Sequence, residues 1–575
     1  MSGVGPGWAR VTVRALWYLA TGLTAWSFGY TIVQGSDLWW HLAGGRWIWE
    51  HGAIPLVDPW SFTRHGERWV NDSWLSDLVF HLWATAFGLQ ALAWWKWSVV
   101  VATFVLLFRL VWRLSGDPLA SWVAVLLGVA TAAPFLDIRP HLYSLLGYVL
   151  LLTAVLGRPR PSLLLPLLFL VWANLHAMVS FGVAALGVLL LPAVLAGGRE
   201  RRRALALGAA CAGVCLLNPN GWLVVSRPLR HALGGSPYST IVEWMPPYLP
   251  GGTHSWLYPW AAVAFATAAL LVVVRRDRSV PVTALALGAL TLVMSVRSRR
   301  FIPLFAVSQA IVVGPAYARL LATPPRAVAL AAPVLAGVLG AIWLAPHPRE
   351  SWAFAYLIGE DAFPVDTVTF VETNGLSGRV FNYYNWGGYL DARTAGRMQV
   401  YIDGRGDMVF DDRTYTNYTT VLASGPGWRE IVESSGADYV LWPNERASFL
   451  QALVDSRRWR AIYQDHVSTL LERADRPVQQ GLRPTPDSAY RRLARADLAA
   501  RQHDLPEAEQ QLAAALVLDP HLGAACRMLA RVQLLRRSPA ARGTEASCQH
   551  DYPYVAEREA FEKFRNELDN GLQVP

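Results

Sequence analysis

The feature that most constrains this chain is a series of about eleven apolar stretches in its first 346 residues, each bounded by charge, Pro or Gly. A helix needs about 20 predominantly apolar residues to cross hydrocarbon. The stretches lie at Ala15–Val33, Val99–Trp112, Leu119–Leu136, Leu142–Leu156, Ser162–Trp172, Ala177–Ala196, Ala204–Leu217, Trp256–Val274, Val280–Val296, Phe301–Ala318 and Ala327–Ala345. Only 16% of the 575 residues are charged, against about 25% in soluble domains, so a purely soluble protein is excluded. The 27 Trp, 20 Tyr and 20 Phe also exclude coiled-coil, collagen-like and disordered classes. The first stretch is long for a signal peptide and is read as a retained helix.

The net charge of +9 marks topology, not nucleic-acid binding, because the Arg residues sit in short loops between apolar runs. With Arg10 and Arg14 on the cytoplasmic side, the loops holding Arg109/Arg113, Arg158/Arg160, Arg199/Arg201/Arg202/Arg203, Arg275/Arg276/Arg278 and Arg319/Arg326 all fall inside, as the positive-inside rule requires. An odd number of spans then places the chain beyond Ala345 on the outer face. The expected location is a bacterial inner membrane with a periplasmic or extracellular C-terminal part.

One basic loop breaks the rule. Arg297, Arg299 and Arg300 lie between two spans on the outer side, and an Arg at the bilayer centre costs about 2.5–3.5 kcal/mol, less at its edge. Two readings stand: snorkelling to headgroups, or a clamp for phosphate, which guanidinium matches bidentately. The same sidedness gathers Asp37, His41, Asp137, Arg139, His141, Asn174, His176, Asn218 and Glu243 at the outer end. Singly, Asn174, His176 and Asn218 read as caps or satisfied polar groups inside the bundle. Together, ionisable groups at one end of a helix bundle point to a site.

The outer loop 34–95 is too long for a connector. Its opening, Asp37 to His51, reads as an amphipathic interfacial helix with Trp39, Trp40, Trp47 and Trp49 as anchors, and with Asp37 and His41 on one face at i,i+4. Asp37, at the mouth of the first helix, has no evident packing role. Asp37 and His41 also suggest a divalent metal, without a third ligand in view.

This arrangement resembles the C-type (GT-C) integral-membrane glycosyltransferases, which use polyprenyl-phosphate sugars. A set of bacterial membrane proteins labelled glycosyltransferase-like is closer still. The motifs are Asp37-Leu-Trp-Trp-His41-Leu, Asp58-Pro-Trp-Ser-Phe62, Arg139-Pro-His141, Trp172-Ala-Asn-Leu-His176, Leu217-Asn-Pro-Asn-Gly221, Glu243-Trp244 and Asn382-Tyr-Tyr-Asn-Trp-Gly-Gly-Tyr389. The resemblance covers roughly the first 475 residues. It implies that Asp37 is the base or a metal-proximal carboxylate; the sidedness above adds His41, Asp137 and Glu243 as the groups beside it. It also implies that Arg139, Arg297, Arg299 and Arg300 hold the lipid phosphate. Many relatives carry paired acidic residues in the first loop, where this chain has Asp37-Leu38.

Beyond the last span the composition becomes that of an ordinary globular domain. Strands are expected at Arg379–Asn382, Gln399–Asp403, Asp438–Trp442 and Val467–Glu472, and helices at Thr414–Ala423, Gly427–Ser434 and Glu445–Ser456. Asn385–Gly388 and Asp403–Arg405 read as turns that dock onto the membrane part. From Thr485 the spacing of Tyr490, Leu493, Leu498, Leu505, Ala508, Leu512, Ala515 and Asp519-Pro520 fits a tetratricopeptide-like pattern, with a second copy beginning at Ala525. Cys526 and Cys548, 22 residues apart in this outer tail, suit a disulfide, with two buried free thiols as the alternative. Cys211 and Cys215 read as small apolar residues within a span.

The expected architecture is therefore mainly α: a polytopic helical membrane bundle over 1–346, a small extracytoplasmic α/β domain over 347–475 and a TPR-like helical tail over 484–575. The expected activity is sugar transfer from a polyprenyl-phosphate carrier to an outer-face acceptor. Its competitor is a non-catalytic component of envelope glycan assembly or export that binds lipid-linked glycan and recruits a partner through the tail.

Overall fold

The computed structural model describes residues 7–29, 35–157, 163–232, 237–251, 253–277, 280–319, 337, 360, 362–520 and 522–551. The expected span Ala327–Ala345 lies outside them. The chain divides into two compact units, one made of residues 1–35, 44–56 and 69–349, the other of 36–43, 57–68 and 350–575. This corrects the boundaries read from the sequence, which left the whole of the first long loop with the membrane part. Two pieces of that loop belong instead with the C-terminal unit.

In the first unit, the other ten expected spans are all helices. They are α1 (Gly7–Gly29), α4 (Leu92–Ser115), α5 (Pro118–Ala132), α6 (His141–Leu156), α7 (Leu165–Leu175), α8 (Val179–Ala196), α9 (Gly198–Val214), α11 (Tyr258–Val274), α12 (Val282–Arg297) and α13 (Ile302–Ala318). Among the described residues four helical stretches, at 89–115, 118–135, 179–196 and 299–318, are long and apolar enough to cross a membrane. Among the described residues three further helices occupy loops: α2 (Asp37–His51), whose residues 37–43 belong to the second unit, α3 (Trp74–Phe87), which the sequence reading did not separate from the loop, and α10 (Leu223–Ala232).

Helix α13 is the centre of this unit, buried from Ile302 to Ala316. An apolar helix surrounded on all sides needs internal partners for its polar groups. Ser308 Oγ meets Tyr148 Oη at 2.8 Å, and Gln309 Nε2 donates to the Ala124 carbonyl at 2.9 Å. Gly128 on α5 allows the close approach to α13, since a Cβ there would lie 2.7 Å from the Ala306 carbonyl oxygen. Buried Thr21, Thr24, Thr103 and Thr291 return their hydroxyls to carbonyls one turn back.

The second unit contains a five-stranded sheet, ordered β2-β1-β3-β5-β4. Its strands are β1 (Gly378–Asn382), β2 (Met398–Val400), β3 (Tyr439–Pro443), β4 (Trp459–Gln464) and β5 (Ser468–Arg473). β2, β1 and β3 run parallel, and β5 is antiparallel to both β3 and β4. Strand β4 is missing from the sequence reading. Segment 57–68 adds to the β2 edge through a Ser61–Val400 bridge and a 3.0 Å bond from Phe62 N to the Val400 carbonyl.

Among the described residues the tail forms four helices, Ala489–Arg501, Leu505–Leu518, Gly523–Leu535 and Ala541–Asp551. Leu493, Ala496, Ala508, Leu512, Ala515 and Ala525 share its core. Cys526 and Cys548 are joined as a disulfide between the third and fourth helices. Cys211 and Cys215 are buried free thiols.

Candidate functional site

At one end of the bundle, three loops bring together two carboxylates and two guanidiniums. Asp137 and Arg139 precede α6, where Pro140 supplies the N-cap. Glu243 sits on a single helical turn, Val242–Trp244. Arg300 sits on another, Arg299–Phe301, just before α13. Arg139 Nη1 donates to Glu243 Oε1, Arg300 Nη1 lies 3.4 Å from Glu243 Oε2, and Arg139 Nε lies 3.9 Å from Asp137 Oδ2. Glu243 keeps 37% of its side chain exposed, Arg300 32% and Arg139 23%, so the cluster stays open to solvent. The Arg300 guanidinium also lies 4.8 Å from the Trp244 ring centroid, a cation–π contact. Burial raises the Glu243 carboxyl, but Arg139 and Arg300 more than offset this and hold it well below the usual carboxylate range. Glu243 is thus ionised at neutral pH.

Arg299 and Arg300 have separate roles. Arg299 is 1% exposed and spends its guanidinium on the carbonyls of Met245, Pro246, Leu249 and Gly251. Its backbone N–H bonds the Met245 carbonyl as well, and Ser298 Oγ bonds that of Glu243. The expectation of a phosphate contact at Arg299 is corrected accordingly: it is the internal tie that shapes the 243–251 loop and so presents Glu243. Arg297, at the end of α12, is exposed and makes no ion pair among the described residues.

The polar residues Asn174, His176 and Asn218 pair with their neighbours. Asn174 Oδ1 accepts from Trp74 Nε1 at 2.9 Å, and Asn218 Nδ2 donates to the Ala173 carbonyl at 2.8 Å. His176 Nδ1 meets Ser144 Oγ at 2.8 Å, and Ser144 also accepts from Trp172 Nε1. Asn220 extends the network to the Asn71 carbonyl, and Asn71 Nδ2 donates to Asp77. This layer closes helix ends and carries the 71–77 segment. His141 at the start of α6 bonds the Phe135 carbonyl at 2.7 Å.

Asp37 belongs to the second unit. It opens α2, is half-buried and lies against Asp403-Gly404-Arg405. A Cβ at Gly404 would sit 2.8 Å from Asp37 Oδ1 and 3.0 Å from Trp40 Nε1. The reading of Asp37 as a carboxylate without packing is therefore corrected: its position depends on a glycine that makes room for it. Trp39 and Trp40 are likewise not a lipid belt. Trp39 packs edge-on to Tyr389 at 4.8 Å and to Phe363 at 5.5 Å. Trp40 lies 3.6 Å from the ring of His41, which is 3% exposed. Trp49, by contrast, is 63% exposed. Asn385–Gly388, expected as a turn, lies inside the helix Tyr384–Thr394, and there a Cβ at Gly388 would lie 3.0 Å from the backbone N and the Cβ of Trp40.

Behind Asp37 lies a buried ionic cluster that the sequence reading missed. Arg405, 1% exposed, forms a bidentate pair with Asp403 at 2.9 and 2.6 Å and meets Asp58 at 2.7 Å. The Trp60 ring covers the guanidinium at 4.7 Å. Burial and the neighbouring Asp403 push the carboxyl of buried Asp391 well up.

The donor set around Glu243 does not fit a divalent cation. The Glu243 carboxylate is engaged by two guanidiniums, and no group of three His, Cys, Asp or Glu able to hold a metal occurs among the described residues.

Neither a protein-family model nor a curated protein matches this sequence. The fold does match solved structures. The Archaeoglobus fulgidus oligosaccharyltransferase in its apo form superposes with a TM-score of 0.53 at 12% identity, covering 75% of this chain and 69% of that one. The archaeal oligosaccharyltransferase AglB from the same organism, in complex with an inhibitory peptide and a dolichol-phosphate, superposes at 0.52 with 13% identity, covering 76% and 70%. At such identity the likeness speaks for architecture alone: over the matched part the chain folds like these oligosaccharyltransferases.

Proposed function

We propose that the chain is a membrane glycosyltransferase that moves a sugar from a polyprenyl-phosphate carrier to an acceptor on the outer face of a bacterial inner membrane. About eleven spans, a cytoplasmic N-terminus and an extracytoplasmic C-terminal unit complete this reading, with the tail as a TPR-like site for a protein partner. The observation that carries it is the pair of half-open guanidiniums, Arg139 and Arg300, converging on one carboxylate at the end of a bundle with a glycosyltransferase fold.

In this reading Asp37 takes the proton of the acceptor hydroxyl as the acceptor oxygen bonds the anomeric carbon. The bond from that carbon to the phosphate oxygen breaks, and the electron pair leaves with the phosphate. Arg139 and Arg300 stabilise the charge that develops there, while Arg299 keeps Glu243 and the loop behind it in place. Because the guanidiniums already hold a carboxylate, the incoming phosphate meets donors arranged for an anion.

Changing Arg139 and Arg300 to Gln is expected to weaken binding of a polyprenyl phosphate to the purified protein at least tenfold. Binding of the uncharged polyprenol should change little, since the contact is charge-assisted. Equal loss for both lipids would mean damaged packing, and no loss for either would remove these residues from the site.

A further inference from the structure

A second cleft lies wholly within the C-terminal unit, between the end of β4 and the first tail helix, Ala489–Arg501. Its volume is about 230 Å³, below the roughly 300–1,000 Å³ of sites for drug-sized ligands. Its charged lining balances, with Asp366, Asp465 and Asp497 against Arg491, Arg495 and Arg501.

Most of these charges are already used. Asp465 accepts from the backbone N–H groups of Thr367, Val467 and Ser468. Asp497 pairs with Arg501 at 2.7 Å, and Arg491 donates to the Thr485 carbonyl. What is left is specific. Asp366 is 1% exposed; its Oδ2 accepts from Tyr463 Oη, while its Oδ1 is buried without a hydrogen-bond partner among the described residues. The guanidinium of Arg495 and the amide of Gln464, both exposed, make no hydrogen bond or ion pair there either. A buried polar atom left in this state calls for an explanation.

Three groups thus remain to recognise a ligand: a carboxylate oxygen that only accepts, a guanidinium that only donates and an amide that does both. Beside them Ala494, Pro484 and the half-exposed Leu498 offer an apolar wall. Three carboxylates and three guanidiniums leave the lining without a net charge to draw a phosphate or another polyanion, and the open oxygen of Asp366 accepts but offers an anion no proton. A hydroxyl-rich neutral molecule can both donate and accept. Its hydroxyls donate to Asp366 and accept from Arg495 and Gln464, and the C–H face of a sugar ring covers the apolar wall.

We propose that this cleft is a saccharide site that takes a neutral sugar unit of a glycan chain. It requires no chemistry at Asp37, so it stands or falls separately from the transfer reading.

The test uses the full chain, purified in detergent, and an array of neutral trisaccharides built from hexose, N-acetylhexosamine, 6-deoxyhexose and pentose units, with uronate- and phosphate-bearing counterparts. The wild type is expected to bind at least one neutral trisaccharide. The double variant Gln464→Ala/Arg495→Ala, which alters two exposed side chains, should bind it at least tenfold more weakly while its affinity for polyprenyl phosphate stays the same. Asp366→Asn, which can no longer act as a pure acceptor, should show a loss of the same sign. No neutral ligand for the wild type, or equal binding by the double variant, would overturn the proposal. So would retention of phosphate-bearing glycans alone, which would make the cleft an anion site.

Discussion

Replacing Asp37 by Asn is expected to lower sugar transfer by about two to four orders of magnitude, the usual contribution of a general base, while donor binding stays close to that of the wild type. Asn keeps the size of the side chain and its fit against Gly404 and Trp40, so the helix start at Asp37 should survive. The fall should therefore appear in kcat and not in KM for the lipid donor. Measured with purified enzyme in detergent, a wild-type kcat for Asp37→Asn would take the base assignment away from this residue.

The largest stability effect is expected at Arg405. Its guanidinium joins Asp403 and Asp58, and neither partner has solvent access. Replacing it by Met leaves both carboxylates buried without their cation, which costs about 3–5 kcal/mol for a broken buried pair. Asp58 also accepts from the backbone N–H groups of Trp60 and Ser61, so loss of Arg405 should free segment 57–68 from the sheet edge. Arg405→Met should show a clearly lowered thermal transition and faster amide exchange in 57–68. Converting Asp58 and Asp403 to Asn in the same chain should recover part of the loss. Unchanged exchange in that segment would mean the ionic cluster does not hold the loop.

Much of the bundle was legible because apolar runs interrupted by Arg, Pro and Gly need only local reading. Ten such runs coincide with helices, and the helix ends move mainly where flanking residues continue the turn, as at α1, which begins at Gly7 instead of Ala15. The basic loop before α13 stood out as a violation of charge bias. Its sequence could not separate Arg299 from Arg300, because the difference lies in the carbonyls of 245–251, supplied by a loop some fifty residues away.

The C-terminal unit shows the same limit. Gly387 and Gly388 read as turn residues by propensity, but tertiary packing overrides propensity: Ile402 and Asp403 leave no room for a side chain at Gly387, and Trp40 leaves little at Gly388. The Trp residues of the first loop read alike as interfacial anchors, and only the structure separates buried Trp39 and Trp40 from exposed Trp49. The Asp58–Arg405–Asp403 cluster joins positions about 350 residues apart, and no local pattern reports such a pairing. Strand β4 was missed because its edge position leaves Ala461 and Gln464 exposed, which weakens the alternation by which strands are recognised.

The central claim is that the protein transfers a sugar from a lipid carrier. It is tested most directly by mass spectrometry of lipid-linked sugars and envelope glycans from cells with the wild-type protein, with Asp37→Asn and with none. Transfer requires that a polyprenyl-phosphate-linked sugar accumulate, and a glycan bearing that sugar disappear, both in the null cells and in those carrying Asp37→Asn. Identical lipid-linked sugars and glycans in all three would contradict it.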